Sequence, residues 1–339
     1  MIHKIYSNND FCVKKIRGRM PPRLSLPCER LMDATRDPHP ALAALLRRFR
    51  AQRPLRGGSL LMSVFGDAIA PRGARVSLGS LIGLARPFGL TERLVRTSVA
   101  RLAAEGWLTA TRRGRLSEYR LTDTGHGVFA QATQRIYGAS PGEWDGHWTL
   151  LVVPPGRGAR GTLRDRLRWL GFGQLAPGVF VHPTCTAQQA HNALAPGALA
   201  DDWLFTSAGE GAAADRRLVA AAWDLEDLAR RYRRFRDAFA PIEASLSLAA
   251  LAPQSAFVVR TLLIHEYRKI HLRDPLLPGA LLPEDWVGAQ AYALCRRLYA
   301  AVFAAAERHL SEHGTTLDGP LPPAGAEAFA RFGGLTRPG

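Results

Sequence analysis

The stretch that decides the fold reads TERLVRTSVARLAAEGWLTATRRGRLSEYRLT and spans residues 91–122. Its first half has the apolar spacing of an amphipathic helix, which begins at Thr91, a good N-cap residue, and stops at Gly106. On a helical wheel, one half of this helix is apolar and the other half is basic. The spacing therefore predicts a helix over residues 91–105 whose exposed face, free of acidic side chains, carries Arg93, Arg96, Thr97 and Arg101.

An arginine-rich hairpin is predicted directly after this helix. Two short β-prone runs, residues 107–111 and 117–121, stand on either side of a four-residue turn over residues 112–115. The turn carries three arginines, Arg112, Arg113 and Arg115. Apolar patterns predict further helices on both sides, over residues 40–52, 59–68, 77–86 and 123–137. Two helices, a basic helix and a basic hairpin in this order are typical of a winged helix-turn-helix.

The positive charge of the chain is concentrated in its first 140 residues. The whole chain has a net charge of +16. Residues 1–56 contribute +9, residues 57–140 contribute +6, and residues 141–339 contribute only +1. An arginine-rich coding bias would raise the arginine content everywhere, whereas a local positive field is what a polyanionic partner requires. The distribution therefore favours a nucleic-acid partner for the N-terminal part.

Beyond residue 146 the pattern changes to short strands and helices. Strands are predicted over residues 147–153, 178–183 and 202–207, with helices between them. This βαββαβ-like spacing indicates a small ferredoxin-like domain. Longer helical patterns follow over residues 215–246, 254–272 and 285–313. The predicted fold class is therefore α+β, with an N-terminal winged helix-turn-helix, a central ferredoxin-like domain and a helical C-terminal domain.

These patterns divide the chain into five parts. Residues 1–39 form an extension whose first 19 residues differ in composition from the rest, and we expect it to be disordered or to precede the true start. The winged helix-turn-helix DNA-binding domain is predicted over residues 40–140, the central ferredoxin-like domain over 141–214, and the helical domain over 215–313. The last part, residues 314–339, is rich in proline and glycine and is expected to be a flexible tail.

Several classes of protein are excluded by the composition. Four widely separated cysteines indicate neither a disulfide scaffold nor a zinc site. The longest uncharged stretch, residues 244–259, is too short to span a membrane, and the N-terminus lacks the apolar core of a signal peptide. No nucleophile elbow, P-loop or paired-carboxylate site occurs. We therefore expect a soluble, cytoplasmic, nucleoid-associated protein that has no cofactor or metal and is not an enzyme.

Four blocks of the sequence resemble the PaaX family of bacterial repressors of phenylacetic acid catabolism. They are SLLMSVFGDAIAPRG at 59–73, PFGLTERLVRTSVARLAAEGWLTATRRGRLSEYRLTDTG at 87–125, LLIHEYRKIHLRDPLLP at 262–278 and ALCRRLY at 293–299. The order and spacing of the blocks match as well, so the resemblance extends from about residue 57 to about residue 313. The N-terminal extension lies outside it.

This resemblance implies a function as well as an architecture. It implies a winged-helix domain, a central domain similar to a CRISPR-associated nuclease, and a helical C-terminal domain. It also implies a homodimer that binds a palindromic operator on double-stranded DNA and is released by an aryl-CoA thioester such as phenylacetyl-CoA. The first strand of the central domain, HWTLLVV, lacks the metal-binding aspartate of such nucleases, so we expect dimerisation rather than cleavage.

The candidate DNA-binding residues follow from the winged-helix interpretation. Side chains in the N-terminal part of a recognition helix reach base edges, and arginine can bind guanine through two hydrogen bonds. Arg93, Arg96 and Thr97 are the candidates for base contacts, with Thr91 at the start of the helix and Arg101 toward phosphate. The hairpin arginines Arg112, Arg113 and Arg115, together with Arg72 in an upstream loop, are candidates for phosphate contacts. The alternative is a solvated basic surface.

A polar block in the C-terminal helix is the candidate effector site. His265, Tyr267, Arg268 and Arg273 stand in an otherwise apolar segment and could bind the phosphate or carboxylate of an effector. The alternative is a polar network that seats the C-terminal domain. His265 and His271 cannot share a zinc ion, because six residues of helix place them on different faces. A G-x-G-x-x-G sequence at 156–161 is rejected as a dinucleotide fingerprint, because Pro154 and Pro155 separate it from its strand and no acidic residue ends the next strand.

Two other functions remain open at this point. One is a nucleic-acid-binding or architectural protein without sequence preference, which would bind native and scrambled duplexes alike. The other is an acyl-CoA-binding protein whose winged helix contacts another protein, which would tolerate loss of Arg93 and Arg96.

Overall fold

The computed structural model describes six stretches of the chain: residues 40–53, 57–138, 142–154, 160–193, 203–246 and 250–335. They contain helices and two antiparallel sheets, in agreement with the predicted α+β class. The predicted N-terminal extension, residues 1–39, and the first residues of the G-x-G-x-x-G sequence lie outside the described residues.

Within residues 40–53 and 57–138, the N-terminal part contains five α-helices and a three-stranded sheet. The elements are α1 (Pro40–Arg50), α2 (Gly57–Val64), β1 (Arg75–Ser77), α3 (Leu78–Ala85), α4 (Glu92–Ala104), β2 (Leu108–Arg113), β3 (Leu116–Leu121) and α5 (Asp123–Tyr137). A π-helical turn, Phe65–Ile69, and a 3-10 turn, Ala70–Arg72, extend α2, and a second 3-10 turn, Arg86–Phe88, precedes α4. The strand order is β1-β3-β2, with Val76 and Ala110 both opposite Tyr119. The predicted helices and hairpin are present, whereas the three-residue strand β1 was not predicted.

The middle part is a four-stranded antiparallel sheet with helices between its strands. Its elements are β4 (His147–Val152), α6 (Arg160–Trp169), β5 (Gly173–Ala176), β6 (Val179–His182), α7 (Ala187–Ala193) and β7 (Trp203–Ala208). The strand order is β5-β6-β4-β7. The short strand β5 was missed from the sequence, because it has only four residues and begins with Gly173, a residue with little preference for strands.

The C-terminal part is helical. It comprises α8 (Ala212–Ala222), α9 (Leu225–Leu246), α10 (Pro253–His271), α11 (Val287–His313) and the short α12 (Ala326–Phe329), with 3-10 turns at Gly279–Leu281 and Arg331–Gly333. Helix α10 is buried along nearly all of its length. None of the described helices is both long and apolar enough to cross a membrane.

The N-terminal and C-terminal parts share one apolar core. Side chains of α1 to α5 and of α9 to α11 belong to the same buried cluster, while the four-stranded sheet has two smaller clusters of its own. Phe88, just before α4, packs edge-to-face on Phe257 of α10, with ring centroids 6.0 Å apart. The two helical regions are therefore packed as one unit.

A buried carboxylate lies at the centre of this shared core. Asp67 is 3% exposed and accepts hydrogen bonds from Tyr137 (2.7 Å) and Tyr299 (2.8 Å). It also forms ion pairs with Arg260 (2.7 Å) and Arg331 (2.9 Å). Burial raises the pKa of the Asp67 carboxyl, but the two arginines and two hydroxyls outweigh burial and leave the pKa below its ordinary value.

The ion pairs continue to a second acid, Glu307 of α11. Arg260 bridges the two acids, because its guanidinium binds both Asp67 and Glu307. Arg72 binds the other oxygen of Glu307 and donates a hydrogen bond to the Pro322 carbonyl at 2.6 Å. We call these five residues, Asp67, Arg72, Arg260, Glu307 and Arg331, the buried ion network.

The C-terminal segment, residues 314–335, is packed onto the N-terminal part. Ser77 donates its amide N–H to the Thr315 carbonyl at 2.8 Å, and Gly325 donates to the Pro71 carbonyl at 2.7 Å. Arg331 belongs to the buried ion network. The expectation of a flexible tail is therefore wrong for these residues, because their polar groups have specific partners; residues 336–339 lie outside the described part.

Removing the central carboxylate should destabilise the fold strongly. The substitution Asp67→Ala leaves Arg260 and Arg331 buried without their shared acid, which typically costs about 3–5 kcal/mol in the free energy of unfolding. Urea unfolding followed by circular dichroism measures this change. Asp285→Ala, at an exposed acid, is the control and should change stability little. A loss below about 1 kcal/mol for Asp67→Ala would contradict the central role of this carboxylate.

Candidate nucleic-acid interface

Helix α4 is fixed at both ends by the residues that the sequence singled out. The Thr91 hydroxyl oxygen accepts a hydrogen bond from the Leu94 amide at 3.3 Å, which confirms the predicted N-cap. Gly106, just after the helix, has a φ of +78°, a conformation that glycine adopts without strain. The buried face consists of Val95, Ser98, Val99 and Leu102, as the helical wheel predicted.

Helix α2 packs closely against the buried face of α4. A Cβ atom on Gly57 would lie 3.0 Å from Leu94 Cγ and 3.0 Å from Ser98 Oγ, tighter than ordinary side-chain contacts. The absence of a side chain at this position therefore permits the close packing of the two helices. Helix α2 therefore supports the buried face of α4, while the opposite face of α4 remains in solvent.

The exposed face of α4 presents the predicted set of polar side chains. Arg93, Arg96, Thr97 and Arg101 are all exposed, and the small Ala100 lies between them. The Thr97 hydroxyl donates to the Arg93 carbonyl at 2.8 Å and so is oriented along the helix. This face can donate several hydrogen bonds to a surface that comes close to it.

Two acids flank this face, contrary to the expectation that it carries none. Arg96 forms an ion pair with Glu92 at 2.7 Å, and Arg101 lies 3.7 Å from Glu105. Both pairs are exposed and have the i, i+4 spacing, which contributes only about 0.3–0.5 kcal/mol. Either arginine can therefore exchange its acid for a phosphate or a base at small cost.

The hairpin tip is exposed and basic. Strands β2 and β3 pair from Leu108–Leu121 to Arg113–Leu116, and Gly114 in the turn has a φ of +61°. The observed turn is therefore shorter than the four-residue turn predicted over 112–115, because Arg112 and Arg113 belong to β2. Leu116 is 62% exposed beside the turn. The three predicted arginines, Arg112, Arg113 and Arg115, all face solvent.

The C-terminal segment contacts this hairpin and the neighbouring strand β1. Asp318 forms ion pairs with Arg75 of β1 (2.7 Å) and with Arg113 of β2 (3.1 Å). The Leu317 amide donates to the buried carboxylate of Glu118 on β3 at 2.8 Å. These contacts were not predicted, because about 200 residues separate the partners and the sequence carries no signal that joins them.

Arg72 is not part of the exposed surface. It is 1% exposed and binds Glu307 and the Pro322 carbonyl within the buried ion network. The prediction that Arg72 contacts phosphate is therefore corrected: the side chain is directed into the core. The local sequence, an arginine that follows a proline in a loop, does not show whether the arginine side chain is exposed.

The candidate effector residues on α10 are mostly engaged in packing against α2. Arg268 donates to Ser63 Oγ at 2.7 Å and to the Ser59 carbonyl at 2.7 Å, and His265 Nδ1 lies 2.9 Å from the same Ser63 hydroxyl. Burial, with nearby Arg268 and Lys269, holds the pKa of His265 well below its ordinary value, so its ring is neutral.

Tyr267 is also buried, with its hydroxyl 3.0 Å from His271 Nδ1. These contacts favour the alternative of a polar network that seats the C-terminal domain. Arg273 differs, since it is exposed and lines a cavity of about 650 Å³ together with Trp169 and Trp223. Within the described residues, no cluster of histidine, cysteine and acidic side chains could hold a metal ion.

Comparison with known proteins agrees with the resemblance seen in the sequence. Residues 56–125 match the family described as PaaX-like protein, residues 141–219 match the PaaX protein central Cas2-like domain, and residues 223–312 match the PaaX-like protein C-terminal domain. The chain therefore belongs to the PaaX family.

A curated relative covers most of the chain. The Transcriptional repressor PaaX of Escherichia coli (strain K12) is 39% identical over 289 residues, which cover 83% of this chain and 92% of the relative. Among solved structures, the uncharacterized protein Rv0674 from Mycobacterium tuberculosis is 25% identical, with a TM-score of 0.48 over 73% of this chain and 95% of that chain. The curated relative is a regulator, which confirms the prediction that this chain is not an enzyme.

Proposed function

We propose that this protein is a DNA-binding transcriptional repressor whose recognition element is the exposed face of α4. The observation that carries the proposal is the arrangement of this helix: it is capped at Thr91, supported by α2, and exposes three arginines and a threonine. The element order α2-β1-α3-α4-β2-β3, with β3 between β1 and β2, supports a winged helix-turn-helix. The curated relative is named a transcriptional repressor.

The proposed docking follows from the chemistry of the two exposed elements. Helix α4 lies in the major groove, where Arg93, Arg96 and Thr97 read base edges near its N-terminus. Arg101, one helical turn further along, binds phosphate, and the hairpin arginines contact the backbone or the minor groove. Neutralised phosphates supply affinity for any DNA, and the base contacts supply sequence preference.

The proposed mechanism of repression also involves a homodimer and an effector. In the proposal, the protein binds a palindromic operator as a homodimer through its central domain, whose strand order β5-β6-β4-β7 supports a ferredoxin-like fold. An aryl-CoA thioester of the phenylacetyl-CoA type releases it, so that an operon for aromatic-acid breakdown is transcribed. Such coupling between effector and operator is typically worth about 1–3 kcal/mol.

The substitution Arg96→Ala tests the recognition helix. We expect specific affinity to fall by about 1–3 kcal/mol, or about 5- to 150-fold, because one base contact is lost. Binding is measured by fluorescence anisotropy with a duplex from upstream of the protein's own gene and with a scrambled duplex. Arg217→Ala, at an exposed arginine of α8 in the helical part, removes the same charge and should leave the affinity within twofold.

Two results would count against the proposal. Equal and weak binding of the unchanged protein to the upstream and scrambled duplexes would argue for a nucleic-acid-binding protein without sequence preference. Unchanged affinity of Arg96→Ala for the upstream duplex would remove this arginine from the base-reading set.

The contacts of Asp318 predict a substitution that strengthens DNA binding. Asp318→Asn removes a negative charge beside Arg113 and frees Arg75 and Arg113 for phosphate. Exposed ion pairs contribute about 0.2–1 kcal/mol, so we expect up to about fivefold tighter binding, together with a steeper salt dependence. Asp285→Asn, a similar charge change at another exposed site, is the control. Weaker binding by Asp318→Asn would instead assign Asp318 a role in holding the hairpin in its binding position.

A further inference from the structure

A basic groove with an aromatic floor lies between helices α1, α9 and α10. Its cavity volume is about 230 Å³. Three buried phenylalanines form much of the floor, Phe49 from α1 and both Phe235 and Phe239 from α9. An apolar cavity of about 150 Å³ is large enough to bind benzene. The cavity of this groove is therefore large enough to hold an aryl group.

The rim of the groove carries an excess of positive charge. Four cations line it, Arg48, Arg231, Arg234 and Lys269, against the single acid Glu266. Arg231 is paired with Asp227 at 2.6 Å, and Lys269 with Glu266 at 3.1 Å. Arg48 and Arg234 are exposed and form no ion pair within the described part of the chain. Two guanidinium groups at this rim are thus available to an anionic ligand.

We infer that this groove is the effector site, with an apolar aryl group on its phenylalanine floor and phosphate on Arg48 and Arg234. The inference rests on the proposed function, because it locates the ligand that releases DNA. Arginine suits phosphate because its planar guanidinium can donate two parallel hydrogen bonds. A CoA thioester combines an acyl group with several phosphates, and the part that exceeds the cavity extends along the basic rim into solvent.

The larger cavity beside Arg273 fits such a ligand less well. Its two arginines, Arg168 and Arg273, are matched by two acids, Asp165 and Asp224, so its lining has no excess of positive charge. The candidate residues His265, Tyr267 and Arg268 on α10 do not line the groove. His265 and Arg268 contact α2, whereas other residues of the same helix, Leu262, Glu266, Lys269 and Ile270, line the groove.

The floor of the groove is connected to the start of the recognition helix. The Phe49 ring packs edge-to-face on Phe88, with centroids 6.2 Å apart, and on His265 at 5.7 Å. The neighbouring Arg50 donates to the Pro87 carbonyl at 2.6 Å. Phe88 and Pro87 belong to the 3-10 turn that leads into Thr91 and α4. A ligand that displaces Phe49 therefore moves the segment that positions the base-reading arginines.

The double variant Arg48→Gln, Arg234→Gln tests the rim. Isothermal titration of the full chain with phenylacetyl-CoA should show at least tenfold weaker binding than the unchanged protein. Affinity for the upstream duplex without thioester should stay within a few-fold, because neither arginine lies on α4 or the hairpin. Arg233→Gln is the matched control: this neighbouring arginine of α9 is exposed, pairs with Glu226 at 3.3 Å, and does not line the groove.

A second variant tests the floor while the charges are kept. Ala238→Trp, at a half-buried lining residue, fills the cavity and should block phenylacetyl-CoA while the protein still binds the upstream duplex. Unchanged thioester binding by both variants would overturn the groove assignment. No binding of phenylacetyl-CoA to the unchanged protein would overturn it as well. The repressor proposal is judged separately, by the preference of the unchanged protein for the upstream over the scrambled duplex.

Discussion

A single buried carboxylate, Asp67, joins parts of the chain that lie far apart in sequence. Its partners Arg260 and Arg331 are 193 and 264 residues away. A buried acid of this kind is stable only while its cations are in place, so the N-terminal helices, α10 and the C-terminal segment must pack together. The proposed DNA-binding surface is therefore built on the same core as the helical C-terminal part. Within this shared core, Phe49 of the proposed effector site packs on Phe88, which lies just before α4.

The local features of helix α4 could be predicted from the sequence. Thr91 is an N-cap and Gly106 a stop because these signals act within one helical turn. The alternation of buried and exposed residues on α4 follows from helical periodicity, and so do the exposed positions of Arg93 and Arg96. The hairpin was predicted for the same reason, since its two strands and its turn are adjacent in the chain.

Features that depend on distant contacts could not be predicted in this way. Arg72 has the sequence context of a surface arginine, yet it is buried because Glu307 and Pro322 meet it in the fold. The C-terminal segment is rich in proline and glycine, but Thr315 and Asp318 bind β1 and β2 through pairings that no local pattern shows. The sequence left two interpretations of the polar block on α10 open, because the partners of His265 and Arg268 on α2 emerged only from the structure.

The most direct test of the account asks whether α4 and the hairpin contact DNA. The first amides of a helix and the amides of a hairpin tip lack regular internal partners, so a bound duplex should slow their hydrogen exchange. Exchange is measured by mass spectrometry on the full chain, with and without the upstream duplex. The account predicts slowed exchange at residues 91–97 and 112–116. Slowed exchange confined to residues 142–335, with none in these two stretches, would contradict it.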